Sequence, residues 1–105
     1  MLNATEIREC RLVVLNAVTE YDQKQANKPG YNIYALPQYI AKLDDFQAFL
    51  EQGISLKRAI MKCYLGRLMT FVGKQFGIKY TSHEVRFCLL GEDELTEMEK
   101  AAISR

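Results

Sequence analysis

Leu36-Pro37-Gln38-Tyr39-Ile40-Ala41-Lys42-Leu43-Asp44-Asp45-Phe46-Gln47-Ala48-Phe49-Leu50-Glu51 is the stretch that decides the fold class. Leu36, Tyr39, Ile40, Leu43, Phe46, Phe49 and Leu50 recur at i, i+3, i+4 and i+7, the spacing of a helix with one apolar face. Lys42, Asp44, Asp45, Gln47 and Glu51 fall mostly on the other face. Pro37 suits a first helical turn, where its missing N–H removes no bond. Gly53 is a natural stop, because glycine adopts the positive φ of a helix C′ position without steric cost. The spacing predicts one amphipathic helix from Leu36 to Gly53, and with it an all-α protein.

C-terminal to this stretch, Ser55 can cap a helix running to about Phe76, with Leu56, Ala59, Ile60, Cys63, Tyr64, Leu68, Phe71, Val72 and Phe76 as its apolar stripe. Gly66 and Gly73 lie inside it, each costing about 1 kcal/mol relative to alanine. Their spacing points either to a close crossing by another helix or to a bend. Gly77 closes the segment, with Ile78 placed to pack back on it. Thr81 and Glu84 have capping-box spacing and open a short helix through Val85, Cys88 and Leu89, ended by Gly91. From Glu92 to Ile103 a last helix is expected, with a narrow stripe of Leu95, Met98 and Ala102 and its acids in the first turns, where the helix dipole favours them.

N-terminal to it, Asn3 and Glu6 form a box-like cap for a first helix, in which Ile7, Cys10, Val14, Val18 and Tyr21 keep helical spacing. Leu12, Val13 and Leu15 widen the stripe, so the helix is expected to be covered on more than one side. Asn27-Lys28-Pro29-Gly30 is a turn signature that ends it near Ala26. Four to five helices joined by short loops make a compact bundle with orthogonal or irregular packing, a single helical domain over residues 1–105.

A chain of 105 residues buries roughly 60–70% of its unfolded surface, enough to fold without disulfides or metal. The N-terminus has neither the basic nor the apolar region of a signal peptide, and no apolar run approaches the roughly 20 residues that cross a bilayer. A cytoplasmic location is the expectation. Cys10, Cys63 and Cys88 are widely spaced and form no C-x-x-C pair, which reads as free thiols rather than a zinc clip or redox motif.

Net charge is +1, but its distribution is uneven. Residues 55–91 carry seven basic side chains (Lys57, Arg58, Lys62, Arg67, Lys74, Lys79, Arg86) against Glu84 alone, and residues 92–105 carry five acids and two bases. A basic middle and an acidic end are the main electrostatic features. Phe49 to Ile60 also has a helix-turn-helix flavour, with a Gly-Ile-Ser turn leading into a basic helix of the kind that enters a major groove. Lys57, Arg58, Lys62 and Arg67 are therefore candidate nucleic-acid contacts. A solvated helix face is the competing reading.

No catalytic, cofactor-binding or metal-ligating constellation emerges. His83 and Cys88 are five residues apart, which on a helix points them away from each other, whereas a nucleophile needs its base within hydrogen-bond reach. Asp44 and Asp45 diverge by about 100° as helix neighbours. Phosphate-binding glycine loops are absent from the sequence. Tyr31, Tyr34 and Tyr39 cluster about the Pro-Gly turn; tyrosine provides rigid amphipathic contact area and is enriched in interfaces. They either form a protein-binding patch or seal the core edge with their hydroxyls in water.

Asn27 to Tyr39, with Gly53, Leu56, Ala59, Ile60 and Gly66-Arg67-Leu68, resembles a group of small uncharacterised proteins of phages and integrative conjugative elements. The similarity spans about residues 24–77, and departs from the group at Pro37, where a small residue is usual. It carries no functional residues. The resemblance implies a non-enzymatic protein-interaction module of a mobile genetic element, such as an anti-CRISPR-like inhibitor of a host defence complex. A helical DNA- or RNA-binding regulator using the basic helix is the alternative. Near-neutral net charge argues against a DNA mimic, which needs extended negative surface.

Overall fold

A computed structural model describes residues 2–85. It shows five α-helices and no strand among the described residues: α1 Ala4–Gln25, α2 Ala35–Ala41, α3 Leu43–Glu51, α4 Leu56–Cys63 and α5 Gly66–Lys74. The all-α bundle that the periodicity predicts is the fold observed. The expected Cys88 to Gly91 segment and the helix from Glu92 lie outside the described residues.

The first helix starts as its sequence requires. Asn3 Oδ1 accepts from the Glu6 N–H at 2.8 Å while Glu6 Oε1 accepts from the Asn3 N–H at 3.0 Å, a reciprocal capping box. Ile7, Val14, Ala17 and Val18 are buried along one side. Of the residues that widen its stripe, Val13 and Leu15 are half-buried, whereas Leu12 stays 57% exposed. Packing α1 against α2, α3 and α5 makes it the central support of the fold.

The helix expected from Leu36 to Gly53 is two helices that meet at Lys42. There the Lys42 N–H bonds to the Tyr39 carbonyl at 3.2 Å, one residue short of the α-helical partner, and Lys42 then supplies the carbonyl for Phe46 at 2.9 Å. The tightened turn redirects the chain. Leu43, Phe46 and Leu50 of α3 enter the core, whereas α2 buries no residue. Propensity and spacing alone cannot register this change, because the apolar period continues across it.

The helix expected from Ser55 to Phe76 is also divided. Ser55 Oγ accepts from the Arg58 N–H at 3.3 Å and caps α4 as anticipated. At Tyr64 (φ −132°, ψ 146°) and Leu65 (φ −118°, ψ 152°) the backbone is extended, and Gly66 takes φ +56°. This link turns the Tyr64 ring into the core at 2% exposure, where its hydroxyl donates to the Tyr39 carbonyl at 2.9 Å. Gly66 thus marks the bend. Gly73 marks a close approach, but by a ring rather than a helix: a Cβ there would lie 2.5 Å from Tyr80 Cε2.

At the end of the described chain, Gly77 at φ +72° closes the turn and the Ile78 N–H bonds to the Gly73 carbonyl at 2.9 Å. Thr81 and Glu84 cap each other as their spacing predicts, at 2.8 and 3.2 Å, and residues 82–85 are helical.

Candidate binding surface

Between α1 and α2 the chain crosses a short turn, Lys28 to Asn32, in which Gly30 adopts φ +77°. Asn32 Oδ1 accepts from the Tyr34 N–H at 2.9 Å, a local turn bond that starts α2 in place of a side-chain cap. This connection separates the three candidate tyrosines by role. Tyr31 folds back onto α1, and its hydroxyl donates to Asp22 Oδ2 at 2.7 Å. Tyr39 faces the core edge, its ring 6.5 Å from Tyr64 in an edge-to-face arrangement. Only Tyr34 projects outward, at 67% exposure, beside Ile33 at 68%.

Tyr31 and Tyr39 therefore belong partly to the fold's edge, and Tyr34 to the surface. Sequence reasoning did not single out Ile33, Ile40 (42% exposed) or Leu65 (58% exposed). The spacing places Ile40 on the apolar stripe of a continuous helix, yet it is exposed at the end of α2, before the division at Lys42.

Two clefts meet along Tyr21 and Tyr39. One, of about 290 Å³, includes Asp22, Lys28, Tyr31 and Asn32 in its lining. The other, of about 330 Å³, includes Lys42, Cys63, Tyr64 and Arg67. Asp22 was also missed by sequence reasoning, although an acid four residues after Val18 and eight after Val14 stands in register with the buried stripe. Its residue exposure is 7%, and Oδ1 is buried without a hydrogen-bond partner. Donation to Asp22 pushes the Tyr31 hydroxyl pKa up, reinforced by burial and by the charges of its neighbours. The Tyr39 hydroxyl is raised by burial first, then by Tyr21 and Asp22. Both shifts place the rings in the negative field of the Asp22 carboxylate.

The basic candidates do not form one row on one helix. Lys57 Nζ pairs with the buried Glu84 at 2.8 Å and lies 5.6 Å from the Tyr80 ring centre. Lys62 Nζ stands 5.6 Å over the Phe49 ring. Arg58 is exposed on α4, and Arg67 is exposed on α5 beyond the break. Glu84 would have its pKa raised by burial, but the bonds from Lys57 and Thr81 outweigh this and hold it below the ordinary carboxylate range.

His83 is exposed, and Cys88 lies outside the described residues. Burial pushes the Cys63 thiol up to about 11, which keeps it protonated at neutral pH and so a poor nucleophile. Asp44 is committed to Arg11 at 2.8 Å, an ion pair that ties α3 to α1. Among the described residues no group of three His, Cys, Asp or Glu side chains is placed to hold a metal ion, and no helix is long and apolar enough to cross a membrane.

These features define the class: a small all-α bundle whose half-buried helix α2 leaves exposed apolar residues beside tyrosine-lined clefts. Comparison with protein-family models, curated proteins and solved structures gives no match.

Proposed function

We propose that the chain is a non-enzymatic protein-interaction module of a mobile genetic element, an inhibitor of a host defence complex of the anti-CRISPR kind, acting in the cytoplasm. The observation that carries the interaction reading is α2. Its Leu36 and Tyr39 are half-buried against the core, but no residue of α2 is fully buried, and Ile33, Tyr34 and Ile40 stand exposed on and beside it. Covering such apolar surface with a partner is favourable by roughly 25 cal/mol per Å² removed from water. An aromatic anchor beside aliphatic residues is the composition that concentrates binding energy at interfaces. The mobile-element setting rests on the sequence resemblance.

The nucleic-acid alternative is less favoured. Lys57 is engaged with Glu84, Lys62 lies against Phe49, and Arg67 belongs to a different helix from Arg58. Counterion release needs several cations free to meet phosphates.

The test is capture of a protein partner from nuclease-treated bacterial host lysate. Tyr34→Ala with Ile33→Ser should abolish capture while leaving the melting temperature near that of the wild type, and Asn16→Ala, at an exposed α1 position, should capture normally. Capture unchanged by the α2-face substitutions overturns the surface assignment. In a parallel capture without nuclease, a retained nucleic acid whose affinity falls steeply with salt supports the alternative.

A further inference from the structure

We infer that the cleft walled by Tyr21, Tyr31 and Tyr39 beside the Asp22 carboxylate binds a primary ammonium, the side chain of a lysine on the protein partner. This inference rests on the interaction-module reading and names the chemistry by which the partner is recognised.

Asp22 is the starting point. Its exposure is 7%, Tyr31 satisfies Oδ2 at 2.7 Å, and Oδ1 is buried with no hydrogen-bond partner. None of the ion pairs among the described residues includes it. Buried carboxylates are ordinarily paired with a cation or fully hydrogen-bonded, because an ionised oxygen withdrawn from water loses solvation that nothing else restores. A tyrosine hydroxyl on one oxygen compensates this only in part.

The walls specify what kind of cation fits. Tyr21, Tyr31 and Tyr39 all line the cleft. Their ring faces carry negative potential that attracts an organic cation, most strongly where water is excluded. The Tyr31 hydroxyl is raised first by its bond to Asp22, and the Tyr39 hydroxyl first by burial and last by the Asp22 charge. A volume of about 290 Å³ sits at the lower end of small-molecule sites, suited to one alkyl chain with a charged head. A divalent metal ion lacks the cluster of hard oxygen ligands it requires. One unpartnered carboxylate oxygen offers a single acceptor rather than the pair that a guanidinium fork engages, which favours lysine over arginine.

Oδ1 is closed off from solvent, so the incoming ammonium reaches it only as a side chain of the cleft lining shifts, with Tyr31 kept on Oδ2. Ala35 and Tyr39 of α2 line the cleft, so a partner covering α2 lies beside it.

The test is titration of the ¹⁵N-labelled full chain with N-acetyl-lysine amide and with N-acetyl-norleucine amide, which has a similar alkyl chain without the charge. Expected are saturable shifts at the amides of Asp22, Tyr31, Asn32 and Ala35 with the lysine probe, at least tenfold weaker binding of the norleucine probe, and loss of lysine binding in Asp22→Asn. Tyr21→Leu, which keeps bulk but removes a ring face, should weaken it severalfold. Equal binding of both probes, or undiminished binding by Asp22→Asn, overturns the proposal. So does tighter binding of n-butylammonium than of the lysine amide, which would make the site one for free amines. A wild type that ignores the lysine probe while Lys28→Gln takes it up would show the cleft filled by the chain's own Lys28, and also overturns it. Partner capture retained by Asp22→Asn but lost by Tyr34→Ala with Ile33→Ser sinks this inference and leaves the module reading standing; the reverse result sinks the α2 surface alone.

Discussion

The hydroxyl of Tyr64, on the extended link between α4 and α5, donates to the main-chain carbonyl of Tyr39 in α2 at 2.9 Å. One hydrogen bond therefore joins the two places where the helical period is interrupted. Tyr64→Phe removes that bond but keeps the ring, so a loss of about 0.5–1.5 kcal/mol is expected. Tyr64→Ala leaves a cavity as well and should cost about 3–5 kcal/mol, by analogy with other large aromatic truncations. Urea denaturation of both variants checks the difference; equal losses would mean that the bond, not the ring, accounts for the whole effect.

Gly73 has a packing role that an alanine exposes. Helix propensity favours Gly73→Ala by about 1 kcal/mol, but the added Cβ would fall 2.5 Å from Tyr80 Cε2. Tyr80 is anchored by its hydroxyl to the Lys57 carbonyl at 3.0 Å, so the ring cannot swing away freely. Net destabilisation of about 1–3 kcal/mol is expected from overpacking. A melting temperature at or above that of the wild type would show that the ring yields.

Glu84 predicts an acid-side loss of stability. Its folded pKa is depressed below the 4.5 of the free carboxyl, so the stabilisation it provides is present above about pH 4.5 and drains away as pH falls through the lower folded value. Glu84→Gln should cost about 1–3 kcal/mol at pH 7, since Lys57 loses its charged partner. The gap between variant and wild type should narrow as pH falls below 4.5 and through the lower folded value, measured by denaturant titration at each pH. A constant gap refutes the linkage.

Cys63 should resist alkylation. It is 8% exposed and its thiol is pushed up to about 11 by burial, with Asp45 adding and Lys42 and Lys62 opposing. At pH 8 iodoacetamide should label it more than tenfold more slowly than a free cysteine, for want of thiolate. Mass mapping of peptides after timed labelling reads this directly, and labelling at the free rate would contradict the burial.

How much of this was legible beforehand differs between features. The Asn3–Glu6 and Thr81–Glu84 caps, the Ser55 cap and the stops at Gly53 and Gly77 all follow from local chemistry, and each stands where its residues place it. Ile40 was not legible as surface, because an apolar residue on a helical period looks the same whether or not anything covers it, and Ile33 lies in a connection that has no period to read. Asp22 was legible in principle, from its register with Val14 and Val18, but the consequence depends on which ring meets it. Tyr31 does so from nine positions away.

The sequence by itself determined the all-α class, the caps and the stops, because periodicity, side-chain-to-backbone bonds and the steric freedom of glycine act within a few residues. Only the tertiary structure decided the breaks at Lys42 and at Tyr64–Leu65, the exposure of α2 and the burial of Asp22. Each of these balances a local helical preference against contacts made by residues distant in the chain, above all Tyr64 with Tyr39 and Tyr31 with Asp22. Interrupting a helix costs little when a buried ring and a satisfied hydroxyl are gained, and no local pattern records that exchange.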